Sequence, residues 1–260
     1  LPSRTTPDHG FTINRWQGER FPNKTILLHA EQGYGDTLQM IRYIPRVAEH
    51  GGKIILWVPS PLASLMKTIH QIDQVVTKKP DPNTFDLQLP LMSLPGVFQD
   101  SLETIPNSVP YIPIQRMGQN SKIKKIGLCW SGSENQPLDR RSIKVSALKP
   151  LFNRSDLEFH SLQQKIPPPP GVLDHSTEMI DFKATAKIIE GLDCVISIDT
   201  SIAHLAGALG KPLWILLSFA PDWRWGVQVE SSPWYPSAKL FRQKYGEPWN
   251  KVISRLSEEL

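Results

Sequence analysis

The stretch "TILLHAEQGYGDTLQMI", residues 25–41, joins an apolar run to a helical pattern through a short loop. The apolar run predicts a strand over 25–30, and apolar residues at helical spacing predict a helix over 36–50 that Pro45 kinks. Between them lie Gly33, Gly35 and Asp36. Two interpretations are open here. The loop is a tight turn that needs glycine and Asp36 caps the helix, or a ligand approaches the backbone and Asp36 accepts a proton.

The same unit of strand, loop and helix recurs along the chain. Apolar runs at 53–58, 125–130, 157–163 and 194–198 alternate with helical patterns, which predicts parallel sheets with helices on both faces. A stretch rich in Pro, Asn and Gln over 106–122 predicts a linker between two similar α/β halves. In sheets of this kind, ligands bind beyond the carboxyl ends of the strands.

A second loop of this type lies in "ISIDTSIAHLAGALGKP", residues 196–212. Asp199 and Thr200 end an apolar strand, and Thr200 and Ser201 bring hydroxyl and N–H groups to a helix start, which suits phosphate. His204 follows one turn later on the side of Ser201. The alternative is a capping aspartate followed by a hydrogen-bonded histidine in the core.

The loop in "WSGSENQPLDRRSIK", residues 130–144, is rich in cations. Ser131 and Gly132 leave a strand, and Arg140, Arg141 and Lys144 place three cations within five residues. Such cations suit a departing diphosphate, although a solvated loop has the same composition.

The loop "APDWRWG", residues 220–226, is aromatic and cationic. Trp223, Arg224 and Trp225 are either core anchors or the wall of a sugar or base pocket. The chain lacks two common nucleotide motifs, since Leu38 stands where a dinucleotide fingerprint requires its third glycine and no Gly-Lys-Ser/Thr is present.

Composition narrows the class of protein. Hydrophobic residues make up 40% and charged residues 21%, as in soluble globular proteins, and no apolar run is long enough to span a bilayer. The net charge of +4 is too small and scattered to predict nucleic-acid binding. The two cysteines, Cys129 and Cys194, are predicted to be buried, reduced thiols of a cytoplasmic protein. The chain begins at Leu1 without a signal peptide, which suggests a fragment of a longer protein.

Several stretches in their order resemble glycosyltransferase family 9, the heptosyltransferase-like enzymes, and in particular the transferase region of bacterial tetratricopeptide-repeat proteins. They are "LLHAEQGYGDTLQMIRYIP", "IGLCWSGS", "RRSI", "FHSLQ", "ISIDTSIAHLAGALGKP", "FAPDWRWG" and "SPWYPSAKLFRQ". The resemblance implies the GT-B architecture, an α/β fold with two Rossmann-like domains facing across a cleft. Residues 1–115 would be the acceptor side, 116–245 the donor domain, and 246–260 a helix that packs back on the first domain.

The resemblance also implies site residues. Asp36 matches the proposed catalytic base, and Asp199, Thr200 and Ser201 match a donor loop in which the family has glycine where Ser201 stands. Arg141 is the better match for a phosphate ligand and Lys144 a looser one. The predicted donor site comprises Ser131, Gly132, Arg140, Arg141, Lys144, Gln163, Asp199, Thr200, Ser201 and His204.

The sequence therefore predicts an inverting glycosyltransferase that uses a nucleotide-diphosphate-sugar as co-substrate and an unidentified hydroxyl acceptor. No D-x-D motif is present, so we expect no metal and no other cofactor. A repeat domain is expected ahead of this region. Two alternatives remain: a catalytically silent nucleotide- or sugar-binding module, and a nucleotide-sugar epimerase, which would need a second carboxylate that the sequence does not identify.

Overall fold

We describe the protein from a computed structural model, which defines residues 9–115, 123–132 and 140–260. The chain forms two compact units. The first contains the residues up to Asn107 together with Asp181–Lys183, and the second contains Ser108–Ile180 and Ala184–Leu260. Residues 116–122 of the predicted linker and residues 133–139 of the cationic loop lie outside the described residues.

The first unit is built on a four-stranded parallel sheet in the order β3-β2-β1-β4. The strands are β1 (Thr25–His29), β2 (Lys53–Trp57), β3 (Gln74–Val76) and β4 (Leu87–Pro90), with short 3-10 turns at Ile41–Tyr43, Pro82–Thr84 and Leu91–Ser93. The helices are α1 (Tyr34–Met40), α2 (Ile44–Ala48), α3 (Ser60–Met66) and α4 (Leu94–Val97). The predicted helix over 36–50 is interrupted at Ile41–Tyr43, because Pro45 has no N–H to continue the α-helical ladder and instead lies in the first turn of α2.

The second unit is a six-stranded parallel sheet in the order β10-β9-β8-β5-β6-β7. Its strands are β5 (Lys124–Cys129), β6 (Leu157–Ser161), β7 (Val172–Asp174), β8 (Cys194–Ile198), β9 (Leu213–Leu217) and β10 (Ala238–Arg242). Its helices are α5 (Phe182–Glu190), α6 (Ser201–Ala208) and α7 (Trp249–Glu259), with 3-10 segments at Val145–Asn153 and Trp223–Trp225. The central strand β8 is buried along its whole length, as its continuous apolar sequence predicts.

One boundary between the two halves differs from the sequence-based expectation, and the predicted packing of the last helix on the first domain stays a prediction. Residues 108–115 belong to the second unit, where the N–H groups of Tyr111 and Ile112 both donate to the carbonyl of Ala208. Helix α7 packs in the core of the second unit, because its apolar face, Val252, Ile253 and Leu256, completes the cluster around β5, β6 and β8. No helix in the described ranges combines the length and apolar character needed to cross a bilayer.

Each sheet has one point where the strand order reverses. The chain enters the second sheet at β5, adds β6 and β7 on one side, and then places β8 on the other, so the reversal falls between β5 and β8. In the first sheet it falls between β1 and β4. The crevice beyond the carboxyl ends of such a strand pair is where open α/β sheets bind ligands.

Candidate functional site

The second unit presents the start of helix α6 at its point of strand reversal. Thr200 is the N-cap, with extended backbone angles, and Ser201 is the first residue of the helix. The Thr200 hydroxyl makes no capping bond. It lies 3.1 Å from the Ser197 hydroxyl and 3.6 Å from the Cys129 thiol. The N–H groups of the first turn therefore form the anion-binding feature of this helix end, while the Thr200 side chain ties β8 to β5.

Gln163 fixes the loop that leaves β5. Its side-chain Oε1 accepts hydrogen bonds from the N–H groups of Ser131 at 2.9 Å and Trp130 at 3.3 Å. Gln163 follows β6 and is buried, so its amide joins the carboxyl ends of β5 and β6. The sequence assigns Gln163 to the donor site, and in the structure its side chain supports the backbone of Ser131.

The end of the cationic loop returns to the same place. Ser142 accepts a hydrogen bond from the N–H of Gly132 at 2.9 Å, and its hydroxyl lies 3.2 Å from that of Ser131. Arg141 donates from Nη1 to the carbonyl of Asp199 at 2.8 Å, which holds the guanidinium against the end of β8. The sequence analysis did not identify Ser142 as a site residue, although it directly follows the two arginines.

The three predicted cations do not share one environment. Arg141 is half-buried beside the start of α6, whereas Arg140 and Lys144 are exposed. Among the three, Arg141 is the side chain whose hydrogen bond to the Asp199 carbonyl places it at the point of strand reversal.

Asp199 belongs to a buried polar network under the start of α6. His204 lies 2.8 Å from the Tyr235 hydroxyl through Nδ1 and 3.2 Å from Arg224 Nη1 through Nε2, and its Nε2 is 3.7 Å from an Asp199 carboxylate oxygen. Burial opposes ionisation of Asp199, but His204 and the charge of Arg224 outweigh it and hold the pKa of that carboxyl below its usual range.

His204 is therefore a hydrogen-bonded core histidine rather than a group facing a phosphate, the alternative that the sequence left open. Tyr235 reaches it because helix α6 has glycine at 207. A Cβ at that position would lie 2.3 Å from the Tyr235 ring.

The two tryptophans of the aromatic loop have different environments. Trp225 is fully buried and stacks against His204 with 5.5 Å between ring centroids, so it is a core anchor. Trp223 is 61% exposed and meets Trp234 edge-on at 5.9 Å. Arg224 is buried, and its guanidinium is hydrogen-bonded to Asp222 and His204. Trp223 is thus the member of this loop available as a pocket wall.

In the first unit, Asp36 is the third residue of helix α1 and not its N-cap. Its Oδ2 accepts a hydrogen bond from the N–H of Gly33, the N-cap residue, at 2.9 Å. The carboxylate therefore reaches back over the first turn, as the acidic member of a capping box does. Asp36 is only 9% exposed.

The two glycines do not have the role that a tight turn would give them. Gly33 has φ −71° and ψ 170°, which any residue adopts, and Gly35 lies inside helix α1. A Cβ on Gly33 would lie 3.2 Å from Asp36 Oδ2. The glycine at 33 is therefore explained by room for the Asp36 carboxylate and not by a left-handed turn.

Glu31 is a site residue that the sequence analysis missed, although it lies in the same loop. Its Oε1 accepts a hydrogen bond from the N–H of Met92 at 2.9 Å, which joins the loop after β1 to the turn after β4. Glu31 is 7% exposed, and its Oε2 has no hydrogen-bond partner among the described residues. Burial raises the pKa of this carboxyl to about 7, backbone hydrogen bonds partly oppose the rise, and the charge of Asp36 adds to it.

His29, at the end of β1, is a second group whose pKa is shifted. Its Nε2 lies 3.0 Å from the side-chain oxygen of Gln88, and its buried Nδ1 has no partner in the described part of the chain. Burial lowers the pKa of His29 to about 4, with the charge of Arg15 contributing in the same direction. This imidazole is neutral at physiological pH.

The cysteines match the sequence-based expectation of buried, unpaired thiols. Burial raises the pKa of both, to about 12 for Cys194. Across residues 9–115, 123–132 and 140–260, no three His, Cys, Asp or Glu side chains are grouped to hold a metal ion. Metal independence stays a prediction.

Comparison with known proteins was made by sequence and by structure. No family model matches the chain. It is 25% identical over 295 residues to Protein FlbA of Caulobacter vibrioides, an alignment that covers 95% of this chain and 48% of FlbA. The chain thus spans about half the length of that curated relative.

Solved structures of similar architecture include three bacterial transferases. A glycosyl transferase family 9 protein from Veillonella parvula has a TM-score of 0.63 at 12% identity, over 94% of this chain and 100% of that one. The E. coli ADP-heptose LPS heptosyltransferase II has a TM-score of 0.60 at 12% identity, over 90% and 97% of the two chains. E. coli heptosyltransferase WaaC with ADP has a TM-score of 0.56 at 11% identity, over 91% and 100%. At these identities the likeness shows the fold, which confirms the predicted α/β, GT-B type architecture with two parallel sheets.

Proposed function

We propose that this chain is an inverting glycosyltransferase that transfers a sugar from a nucleotide-diphosphate-sugar to a hydroxyl acceptor without an obligatory metal ion. The observation that carries the proposal is the position of Arg141 at the strand reversal of the second sheet. Its guanidinium donates to the Asp199 carbonyl at 2.8 Å, directly before Thr200, the N-cap residue of helix α6. A guanidinium and a helix N-terminus at one place favour a departing diphosphate.

The similar solved structures support the donor class. One is named as an ADP-heptose heptosyltransferase, and another contains ADP. From these proteins we propose for this chain only the donor class, a sugar linked to a nucleoside diphosphate. The identity of the base and of the sugar is not part of the proposal. In this proposal the second unit binds the donor and the first unit binds the acceptor.

Asp36 is the base of the proposed reaction. Its carboxylate takes the proton of the acceptor hydroxyl, the acceptor oxygen attacks the anomeric carbon, and the bond from that carbon to the diphosphate oxygen breaks. The diphosphate leaves with the bonding electrons, and its charge is stabilised by Arg141 and the N-terminus of α6. A single displacement of this kind inverts the anomeric configuration.

A catalytically silent binding module is the second candidate, and one contact favours it. Asp36 Oδ2 is occupied by the Gly33 N–H at 2.9 Å, which is what a purely structural helix cap requires. An epimerase is a third candidate, because Glu31 supplies a second buried carboxyl group five residues before Asp36.

Two further parts of the proposal concern the whole protein. We expect a repeat domain ahead of this region in the full-length chain, and a cytoplasmic location. Both rest on the resemblance to repeat-containing bacterial transferases.

The test begins with a panel of nucleoside diphosphates and their sugars, each assayed for a rise in melting temperature with and without a chelator. Donors that stabilise the protein are then assayed for transfer, hydrolysis and epimerisation, with Asp36→Asn as the variant. Asp81→Asn is the matched control, since Asp81 also accepts a backbone N–H, from Asn83 at 2.9 Å, at the start of a helical turn in the same unit.

Transfer by the wild type and by Asp81→Asn, with loss in Asp36→Asn, is the expected result. Stabilisation by a nucleotide diphosphate without turnover of any donor would favour the silent module. No stabilisation by any nucleotide and no turnover would overturn the proposal.

A further inference from the structure

The loop after β1 and the first turn of α1 each contain one buried carboxyl group, at the strand reversal of the first sheet. Glu31 and Asp36 are five residues apart, and each accepts a backbone N–H. Met92 N–H binds Glu31, and Gly33 N–H binds Asp36, both at 2.9 Å. The backbone thus fixes both side chains in place.

Glu31 has a feature that its role in packing does not explain. Its Oε2 is buried and makes no hydrogen bond within the described residues. Other buried polar atoms close to Glu31 in the sequence also make no hydrogen bond within the described residues. They are His29 Nδ1 and both side-chain amide atoms of Gln39. Native proteins satisfy most buried polar atoms, so a concentration of exceptions around one loop at a strand reversal points to a functional site.

We propose that Glu31 is a positioning residue that sets the strength of Asp36 as a base: when Glu31 is ionised, its negative charge increases the attraction of Asp36 for the acceptor's proton. This inference rests on the proposed transferase function. Glu31 does not touch the acceptor, because both of its oxygens are buried or bound to backbone. The proton passes from the acceptor hydroxyl to Asp36, and the charge of Glu31 stabilises the protonated form of Asp36.

The surroundings of Glu31 support this role. The rise of its pKa to about 7, with Asp36 as a contributing charge, means that it ionises across neutral pH while it interacts with Asp36. His29, two residues earlier at the end of β1, has its pKa lowered to about 4, so that group is neutral in this range. From the turn after β4 it meets backbone N–H groups, and Arg15, which donates to Ser93 of that turn, acts on His29. The charge of Asp36, five residues away along the chain, adds to the effect of burial on Glu31.

The first experiment follows carboxyl carbons by NMR during a pH titration and needs no transferase activity. We expect one glutamate, absent from the spectrum of Glu31→Gln, to titrate near pH 7. In Asp36→Asn its midpoint should move to lower pH, because a like charge has been removed. A Glu31 midpoint below about pH 5, or one that Asp36→Asn leaves unchanged, would overturn the inference whether or not the protein transfers sugar.

The second experiment measures kcat/KM for transfer against pH. In the wild type it should rise as Glu31 ionises through about pH 7, and Glu31→Gln should flatten that rise and lower the plateau about tenfold. Glutamine keeps an oxygen for the Met92 N–H, so the fold is preserved. Glu49→Gln, at an exposed glutamate of the same unit, is the control and should keep the wild-type profile.

A wild-type pH profile in Glu31→Gln would contradict the tuning role. A complete absence of transfer would instead overturn the proposed function and the tuning role with it. In that case the NMR titration still decides whether the two carboxyl groups interact, so the two failures are distinguishable.

Discussion

The carboxylate of Asp36 accepts the backbone N–H of Gly33 at 2.9 Å, from a position one turn inside helix α1. One contact therefore serves two possible roles of Asp36. It caps the helix, and it orients the carboxylate whose other oxygen would act as the base. Stability and turnover separate the two roles.

Replacing Asp36 by asparagine and by alanine should affect these two quantities differently. Asparagine keeps an oxygen for the Gly33 N–H, so the free energy of unfolding should change little, while alanine should lose about 1 kcal/mol. If Asp36 is the base, both variants lose turnover by roughly a hundredfold or more. Chemical denaturation and transfer assays on the same preparations measure the two effects. Turnover of Asp36→Asn at the wild-type rate would show that Asp36 acts only as a helix cap.

Arg141→Ala should weaken nucleoside diphosphate binding more than free nucleoside binding. A charge-assisted hydrogen bond to phosphate contributes about 1.5–3 kcal/mol, or on the order of tenfold to a hundredfold in Kd. Titration calorimetry with both ligands measures the difference. Arg140→Ala is the control, because Arg140 is the exposed neighbour. An equal loss for nucleoside and nucleotide would mean that Arg141 only holds the Asp199 carbonyl.

Gly207→Ala should destabilise the second unit. The added methyl group would lie 2.3 Å from the Tyr235 ring, so Tyr235 must shift away from His204, and overpacking of this kind costs typically about 1–3 kcal/mol. Gly96→Ala is the comparison, since a Cβ there meets nothing within 4 Å and Gly96 lies in helix α4. Urea denaturation should show a loss for the first variant and none for the second. Equal stability of the two would mean that Tyr235 is not packed against α6 as described.

Glu31 should make the wild type less stable as pH rises. Its pKa is raised from 4.5 to about 7 in the folded state, so the folded protein binds more protons between these values and stability falls across that window. The full effect is at most about 3 kcal/mol. Glu31→Gln lacks this loss and should gain stability relative to the wild type between about pH 4.5 and 7 in urea denaturation. A pH-independent difference between the two proteins would contradict the raised pKa.

His29 should have the opposite dependence. Its pKa is lowered from 6.5 to about 4 in the folded state, so the unfolded chain binds more protons in this range and stability is lost as pH falls from 6.5 towards 4. His29→Gln should therefore be less sensitive to acid than the wild type by up to about 3 kcal/mol. Relative to the wild type, the free energy of unfolding of His29→Gln and that of Glu31→Gln should change in opposite directions with pH, over nearly the same pH window. Parallel curves would mean that neither group is perturbed.

The sequence by itself determined the architecture and the two loops that matter. Apolar runs such as "CVISI" and "TILLH" became the buried strands β8 and β1, since local periodicity reports which side chains face a core. The same reasoning placed Asp36 and Thr200 where strands end and helices begin. It missed strand β10, whose sequence "AKLFR" lies at the sheet edge, where pairing with β9 through the backbone leaves little apolar pattern.

Only the tertiary structure decided what the site side chains contact. It placed His204 between Tyr235 and Arg224 in the core, gave Arg141 rather than Arg140 or Lys144 a contact at the strand reversal, and revealed Glu31. The physical reason is distance along the chain. Glu31 meets Met92 from 61 residues away, and His204 meets Tyr235 from 31. Burial and hydrogen bonds between such distant segments set the pKa of a carboxyl group, and no local pattern in the sequence encodes them.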